Sequence, residues 1–425
     1  MRKRQAAVAA VAAIILGVTG CSGNTRTAAT TAQATAAQET TVSGETTAAQ
    51  ETTAAESETD SQDSVQAGTA VNPEIYTGLT EEEVSQIEAS MEEILANNPF
   101  GLVYNGAITE NVEGEVNIRP VSYQNQQGID LAANLYLPAG YDENGSYAAI
   151  VVAHPNGGVK EQVSGLFAQR LAENGYITIA FDAAYQGASG GVPRQTDRPA
   201  NRVEDIRAAI DYLSTVAGVD TSRIGALGIC GGGYTIEASK TDKRISAVAT
   251  ISMFNTGRVR RNGMSDGDME GIPGRLEQAA AAREQYVATG EVEYIGGLNT
   301  QRVEFTQEEL EQLPAGLYRD GTEYYGSTHF HPYSQSRYTA MSLMDLMPFD
   351  VENHAELIDQ PLLMIAGDIS DTRYMTEGVF EKATGTDDKE LFLIEGAQHI
   401  ETYWQEDYVS QELNKLVEFF GDKLA

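Results

Sequence analysis

Cysteine is almost absent from this sequence, which contains two in 425 residues, Cys21 and Cys230. Two cysteines exclude the framework of several disulfides found in many small exported domains. Basic residues are also scarce, since 28 Lys and Arg accompany 62 Asp and Glu, giving a formal net charge of −34. That charge argues against nucleic acid and other polyanionic partners. With 41% hydrophobic residues, the chain can nevertheless build one large or two ordinary domains.

Long hydrophobic runs are also lacking, apart from one near the start. Three basic residues at positions 2–4 precede an apolar run over residues 6–18, which is too short and too rich in alanine for a permanent transmembrane helix. Small residues follow, and then Cys21. We therefore expect residues 1–20 to be a signal peptide. Ordinary secretion with a free Cys21 is the alternative.

The sequence VTGCS at 18–22 resembles a bacterial lipobox. The resemblance implies a lipoprotein that is cleaved before Cys21, lipidated on that cysteine and anchored to a bacterial cell membrane, facing outside the cytoplasm. Residues 21–70 are rich in Thr, Ala and Glu, with near-repeats of ETTAA, and we expect a disordered tether there. A lipidated Cys21 leaves Cys230 without a disulfide partner. A free thiol in an exported protein is open to oxidation, so we expect Cys230 to be retained either because it is buried or because it takes part in catalysis.

Ordered structure is expected to resume with an N-terminal helical segment over residues 71–113. A capping box at 80–83 begins a helix there, and the sequence NNP at 97–99 ends it. Two strand-like runs follow at 114–123 and 129–137, and the sequence QQG between them predicts an antiparallel hairpin.

From residue 148 onwards, apolar strands alternate with helices, a pattern that predicts a parallel sheet. Strands are expected at 148–153, 177–181, 224–228, 245–252, 362–366 and 391–394. Helices are expected at 161–174, at 202–213, after 231, at 376–384 and at 407–423. Residues 254–359 break the alternation, and we interpret them as a largely helical cap insertion. The sequence thus predicts an α/β domain over 114–425, with a mostly parallel central sheet flanked by helices.

The motif GICGGG at 228–233 carries the chemistry. It follows a predicted strand and precedes a helix, as required of a nucleophile elbow centred on Cys230. Glycines two residues before and two after let neighbouring backbones approach the turn, and the helix N-terminus favours a thiolate. The backbone N–H of Gly231 is a candidate oxyanion donor. A buried cysteine that merely packs in a glycine-rich turn is the alternative.

A second oxyanion donor is expected after the strand at 148–153, from Asn156 or Gly157. Pro155 has no N–H to give, and His154 is expected to be structural. The general base should follow the last strand, where EGAQH at 395–399 makes His399 the candidate. The acid should follow the preceding strand, where we prefer Asp371 and keep Asp368 as the second choice, because it can cap the turn.

The chain order Cys230, Asp371, His399 and the elbow resemble the dienelactone hydrolase-like branch of the α/β-hydrolase superfamily. The resemblance implies the α/β-hydrolase fold and a Cys-His-Asp triad that cleaves an ester, lactone or thioester of a small molecule through an acyl-enzyme. No cofactor is implied. The long insertion departs from compact members, so the substrate is not carried over, and the oligomeric state is not predicted.

Two other functions fit part of this pattern. Glutamine amidotransferases also use Gly-x-Cys-x-Gly, with a His-x-Glu motif that His399 and Glu401 match. A non-catalytic ligand-binding lipoprotein on a hydrolase scaffold is the other alternative. His329 and His331 lack a third ligand at a matching spacing, so no metal site is predicted. The tyrosines and phenylalanine at 324, 325, 330, 333 and 338 line a substrate pocket or pack the cap.

Overall fold

The computed structural model describes residues 72–425. The predicted signal peptide, the tether and the lipidation site Cys21 lie outside these residues. Within the described part, no helix has the length and apolar character needed to cross a bilayer.

An eight-stranded sheet forms the centre of the fold, in the order β1-β2-β4-β3-β5-β6-β9-β10. Its strands are β1 Asn117–Gln124, β2 Asp130–Leu137, β3 Tyr147–Ala153, β4 Ile177–Phe181, β5 Val219–Ile229, β6 Ile245–Ile251, β9 Leu362–Gly367 and β10 Lys389–Ile394. The β1–β2 and β2–β4 pairs are antiparallel and the other pairs are parallel. The predicted fold class, with its mostly parallel sheet, is confirmed.

Helices cover both faces of this sheet and build the insertion. They are α1 Glu81–Asn97, α2 Val163–Ala172, α3 Pro199–Leu213, α4 Gly232–Ser239, α5 Thr256–Asn262, α6 Ile272–Thr289, α7 Gln307–Glu311, α8 Leu317–Glu323, α9 Leu343–Leu346, α10 Arg373–Lys382 and α11 Glu406–Lys423. The central strands carry continuous apolar runs and are buried, as expected when helices cover both faces of a parallel sheet.

Local sequence signals account for several boundaries. The side chain of Thr80 accepts a hydrogen bond from the N–H of Glu83 and the carboxylate of Glu83 accepts one from the N–H of Thr80, which is the predicted capping box. The predicted hairpin is also confirmed, with Gly128 at φ 73° in its turn. Strand β5 begins earlier than expected, at Val219, because its exposed first half carries no apolar run.

The insertion between β6 and β9 is mainly helical and adds a two-stranded antiparallel pair, β7 Tyr294–Ile295 and β8 Tyr338–Thr339. It has a small core of its own, made by Ala279, Ala282, Ile295, Tyr338, Ala340, Met341, Leu343, Leu346 and Met347. Helix α1 is attached to it, since the hydroxyl of Ser90 donates to the carbonyl of Thr300 at 2.9 Å. His329 and His331 lie outside any strand.

The sheet brings the candidate residues to one edge. Strands β3, β5, β9 and β10 run in the same direction, so the loops that follow them meet at their carboxyl ends. Those loops carry Asn156, Cys230, Asp371 and His399 respectively. In open α/β sheets this edge is where ligands bind.

Candidate active site

Cys230 occupies a strained turn between β5 and α4. Its φ is 53°, a left-handed conformation that costs a non-glycine residue about 1–3 kcal/mol and persists only where neighbours enforce it. The N–H of Cys230 donates to the carbonyl of Ile251 at 2.9 Å, which ties the turn to β6. A Cβ at Gly233 would lie 3.0 Å from the carbonyl oxygen of Phe254, so a side chain there would crowd that carbonyl. These contacts produce the predicted elbow.

The thiol of Cys230 points into a cluster of donors. The hydroxyl of Tyr403 and the backbone N–H groups of Asn156 and Gly231 face the sulfur and lower the pKa of the thiol. Burial raises the pKa of the thiol, and the Tyr403 hydroxyl, the Asn156 N–H, the Arg202 charge and the Gly231 N–H offset this increase only in part. The sequence predicted a thiolate favoured by the helix N-terminus. In the structure, desolvation outweighs that effect, because Cys230 is 7% exposed.

The loop after β3 supplies one of its two candidate donors to the thiol. Asn156 directs its N–H to Cys230, and its side-chain amide donates to the hydroxyl of Thr256 at 2.7 Å. Gly157 instead contacts the insertion, since its carbonyl accepts from the hydroxyl of Ser334 at 2.7 Å. A Cβ on Gly157 would lie 2.8 Å from the carbonyl of Gln335. The two N–H groups that converge are therefore those of Asn156 and Gly231.

His154, expected to be structural, is fully enclosed beneath this loop. Its Nδ1 lies 2.6 Å from the carbonyl of Pro155, and its Nε2 accepts from the N–H of Ala183 at 3.0 Å. Burial lowers its pKa to about 3. The imidazole stays neutral and joins the ends of β3 and β4.

His399 is fully buried near Cys230, with both ring nitrogens occupied. Its Nε2 lies 2.8 Å from the hydroxyl of Tyr403, and its Nδ1 lies 2.5 Å from the hydroxyl of Thr372. Burial lowers the pKa of the imidazole to about 3, so the ring is neutral near pH 7. A neutral ring with a hydrogen-bonded Nε2 is in the protonation state that a general base requires.

Neither predicted acid contacts the imidazole. Oδ2 of Asp371 accepts from the N–H of Leu317 in the insertion at 3.2 Å, and its Oδ1 is buried without a hydrogen-bond partner among the described residues. Oδ1 of Asp368 accepts from the N–H of Gly396 at 2.7 Å, which joins the loop after β9 to the loop after β10. Thr372 contacts the imidazole instead, because the turn after β9 directs the side chain of Thr372, and not that of Asp371, towards His399.

Tyr403 is the residue that the sequence reasoning missed. It lies in a short 3-10 turn, Glu401–Tyr403, directly after the base. Its hydroxyl contacts three groups, namely Nε2 of His399, the Cys230 thiol and the hydroxyl of Tyr325. The available signals were its position four residues after His399 and the tyrosine cluster of the insertion, to which Tyr325 belongs.

A cleft opens above the thiol between the sheet edge and the insertion, enclosing about 630 Å³ of space that is in part open to solvent. Apolar and aromatic side chains dominate its lining. The lining residues are Asn156, Cys230, Phe254, Val259, Arg260, Met264, Leu317, Tyr318, Gly321, Tyr325, Ser336, Ile400 and Tyr403. Such a surface suits a small molecule with an apolar portion.

The histidines at 329 and 331 serve packing within the insertion. Nδ1 of His329 lies 2.9 Å from the hydroxyl of Thr328 and its ring stacks on Tyr324, with 4.4 Å between the centroids. Nδ1 of His331 accepts from the N–H of Tyr333 at 3.2 Å. Across residues 72–425, no three side chains of the metal-binding types come together.

Comparison with known proteins places the chain in a family. The dienelactone hydrolase family matches residues 131–254. YcjY of Escherichia coli (strain K12) is 38% identical over 311 residues, which cover 72% of this chain and 98% of that protein. This chain belongs to the dienelactone hydrolase family of α/β-hydrolases. It is therefore a hydrolase of that type.

Other relatives agree with this assignment. PA2218 of Pseudomonas aeruginosa is 34% identical over 320 residues, covering 74% of this chain and 82% of that protein. Its crystal structure superposes with a TM-score of 0.64 at 32% identity, covering 74% of this chain and 96% of that one. The thiohydrolase AneE of Aspergillus aculeatus is 31% identical over 169 residues, 40% of this chain and 49% of its own.

Proposed function

We propose that the chain hydrolyses an ester, lactone or thioester of a small molecule through an acyl-enzyme on Cys230. One observation carries the proposal: the thiol meets two backbone N–H groups and a tyrosine hydroxyl that is itself bonded to a buried neutral histidine. Nucleophile, oxyanion donors and base thus converge at the floor of one cleft. The name of the relative AneE, a thiohydrolase, supports including thioesters.

Proton transfer in this arrangement passes through Tyr403. As Nε2 of His399 takes the proton of the Tyr403 hydroxyl, the phenol oxygen takes the proton of the Cys230 thiol. The sulfur then attacks the carbonyl carbon, and the N–H groups of Asn156 and Gly231 hold the oxygen that becomes negative. The imidazolium returns its proton along the same path to the leaving alkoxide or thiolate, and the carbon–oxygen or carbon–sulfur bond breaks.

Deacylation uses the same groups in reverse. A water molecule gives one proton towards His399 while its oxygen attacks the thioester carbonyl, and the collapse of the intermediate releases the acid and restores the thiol. Thr372 supports the charged ring in both halves, because Nδ1–H of His399 donates to its hydroxyl. That hydroxyl lies 2.8 Å from the hydroxyl of Ser370, so a polar chain extends away from the base.

The amidotransferase alternative finds no support in the geometry. Its acid would be Glu401, yet one oxygen of Glu401 accepts from the N–H of Gln398 at 2.7 Å and the other from the side chain of Gln405 at 3.1 Å. His399 bonds to Thr372 and Tyr403 instead. Membership in the hydrolase family points the same way.

The test compares C230A, C230S and E401Q with the wild type on a panel of p-nitrophenyl esters, lactones and acyl thioesters. We expect C230A to lose activity by several orders of magnitude, C230S to retain part of the esterase turnover and E401Q to be near wild type. Intact-mass measurement after rapid quenching should show acyl adducts on the wild type and on E401Q, and none on C230A. Wild-type turnover by C230A would refute Cys230 as the nucleophile. No turnover of any panel member by the wild type would favour the non-catalytic binding protein.

We also propose that this hydrolase is exported and tethered to the membrane through a lipid on Cys21, on the strength of the lipobox-like sequence at 18–22. Metabolic labelling with a palmitate analogue in a bacterial host should tag the wild type and not C21S. Absence of label on both chains, with the wild type in the soluble extracellular fraction, would support ordinary secretion instead.

A further inference from the structure

Arg260 is the charged residue in the lining of the cleft. It lies on α5, the first helix of the insertion, and most of the described side chains around it in the lining are apolar or aromatic. The guanidinium stacks on the ring of Tyr338, with 4.3 Å from its carbon to the ring centroid. The cleft therefore presents one cation among largely uncharged walls.

This cation forms no direct ion pair with any described residue, which sets it apart from its neighbours. On the same helix, Arg258 pairs with Asp266 and Glu352, and Arg261 pairs with Asp350. Arg260 forms no ion pair within residues 72–425, and its Nε is buried without an acceptor. The buried carboxylate of Asp197 interacts with this charge only at a distance beyond an ion pair, so the guanidinium keeps its hydrogen-bonding capacity for a ligand anion.

The position of Arg260 relates it to the reacting carbonyl. Thr256 and Arg260 are four residues apart and share one face of α5, about 6 Å apart along the axis. The hydroxyl of Thr256 accepts a hydrogen bond from the side chain of Asn156, whose N–H is an oxyanion donor. The guanidinium thus lies about one helical turn beyond the group that holds the carbonyl oxygen.

We propose that Arg260 binds a carboxylate at the far end of the acyl chain, so that the substrates are esters or thioesters of acids with a second, remote carboxylate. This inference rests on the proposed function. The leaving group departs beside Tyr403 and His399, which must protonate it, so the acyl chain is the part that reaches Arg260. A single guanidinium without a second cation in the described lining matches a monoanion, which it can bind through two parallel hydrogen bonds.

The net charge of −34 does not prevent this recognition. Charges farther away than about 8 Å are largely screened at physiological ionic strength, so the contact with Arg260 determines the local preference. The acidic surface slows the approach of anions in general, whereas the arginine selects among those that enter.

The experiment compares two p-nitrophenyl esters of equal acyl length, the monoester of adipic acid and the uncharged hexanoate. In the wild type we expect kcat/KM for the adipate ester to exceed that for the hexanoate. In R260M, the adipate value should fall about 10- to 100-fold and the hexanoate value should remain within about threefold. R260K should lie in between, because it keeps the charge and loses the planar fork. R283M removes an exposed arginine of the insertion and controls for net charge.

A second measurement does not depend on turnover. The intact protein is alkylated at Cys230 by iodoacetate or by iodoacetamide, and mass spectrometry of the Cys230 peptide gives each rate. Arg260 should raise the ratio of the iodoacetate rate to the iodoacetamide rate, because it attracts the anionic reagent. We expect this ratio to fall at least several-fold in R260M and to stay unchanged in R283M. Equal preference for both esters in the wild type together with a ratio that R260M leaves unchanged would overturn the inference, while the C230A result still decides the proposed function separately.

Discussion

The hydroxyl of Tyr403 lies 2.8 Å from Nε2 of His399 and also faces the thiol of Cys230, so a phenol stands between the candidate nucleophile and the candidate base. In the serine and cysteine hydrolases that the chain resembles, the base is expected to contact the nucleophile directly. In the mechanism that we propose, a proton leaving the sulfur reaches the imidazole through the tyrosine oxygen. This relationship determines how the site is best tested.

Replacing Tyr403 by phenylalanine removes the hydroxyl and keeps the ring. We expect kcat/KM to fall on the order of 10²- to 10³-fold with little change in the melting temperature, because the proton path is interrupted. Y324F is the matched control, since its ring packs against Tyr403 at 5.5 Å between centroids and its hydroxyl does not contact Cys230 or His399. Near-normal activity of Y403F would show that the thiol and the imidazole approach each other directly during turnover.

Thr372 and Asp371 can be separated by a pair of nearly isosteric changes. T372V removes the hydroxyl that accepts from His399, and we expect about a 10- to 100-fold loss in kcat, since a buried imidazolium N–H is left without an acceptor. D371N leaves that contact intact and should cost far less than the roughly 10⁴-fold attributed to a triad carboxylate. A D371N loss of that size with an active T372V would mean that Asp371 leaves Leu317 and contacts His399 in the reacting state.

The raised pKa of Cys230 predicts a specific pH profile for alkylation. Burial favours the neutral thiol, so the reactive thiolate is scarce at neutral pH and its amount continues to grow above the usual range near 8.5. We expect iodoacetamide to modify Cys230 more slowly than free cysteine at pH 7, with a midpoint shifted to higher pH. Y403F should shift the midpoint further upwards, because the tyrosine hydroxyl stabilises the thiolate. A midpoint below that of free cysteine would contradict this account.

Glu412 predicts how stability depends on pH. Both of its carboxyl oxygens are buried without a hydrogen-bond partner in the described part of the chain, and burial raises its pKa well above the ordinary value. The folded state therefore holds a proton that the unfolded chain releases near pH 4.3, so stability is lost as pH rises above that point towards the folded pKa.

E412Q replaces the protonated acid by a neutral side chain of the same shape. Its melting temperature relative to the wild type should increase between pH 5 and pH 8, by an amount that corresponds to about 1–3 kcal/mol in the free energy of unfolding. E418Q, on the same helix but with a side chain 71% exposed, should show no such trend. A parallel pH dependence of the wild type and E412Q would rule out Glu412 as the titrating group.

The fold could be predicted from the sequence because each of these local signals is compatible with one type of structure. The capping box at Thr80, the apolar runs of the central strands and the elbow at Cys230 depend on neighbours within a few residues. The side chain that faces His399 could not be predicted in the same way. Asp371 and Thr372 are adjacent, and the path of the turn after β9 decides which of them points inwards.

Tyr403 and Arg260 show a second limit. Their roles arise from contacts between segments distant in the chain, namely the loop after β10 with the elbow, and the insertion with the cleft. No sequence motif distinguishes this tyrosine or this arginine from others in the same segments. The predicted domain boundaries, the signal peptide and the lipidation at Cys21 stay predictions.

The close approach of Gly157 to the backbone of Gln335 and Ser336 fastens the loop that carries Asn156 to the insertion. The proposed oxyanion donor Asn156 and the wall of the cleft at Ser336 are thereby held together. Shortening or exchanging residues 335–336 should displace an oxyanion donor along with the pocket. During divergence or in engineering, a new insertion would have to be acquired together with a matching loop after β3, so selectivity and turnover change jointly.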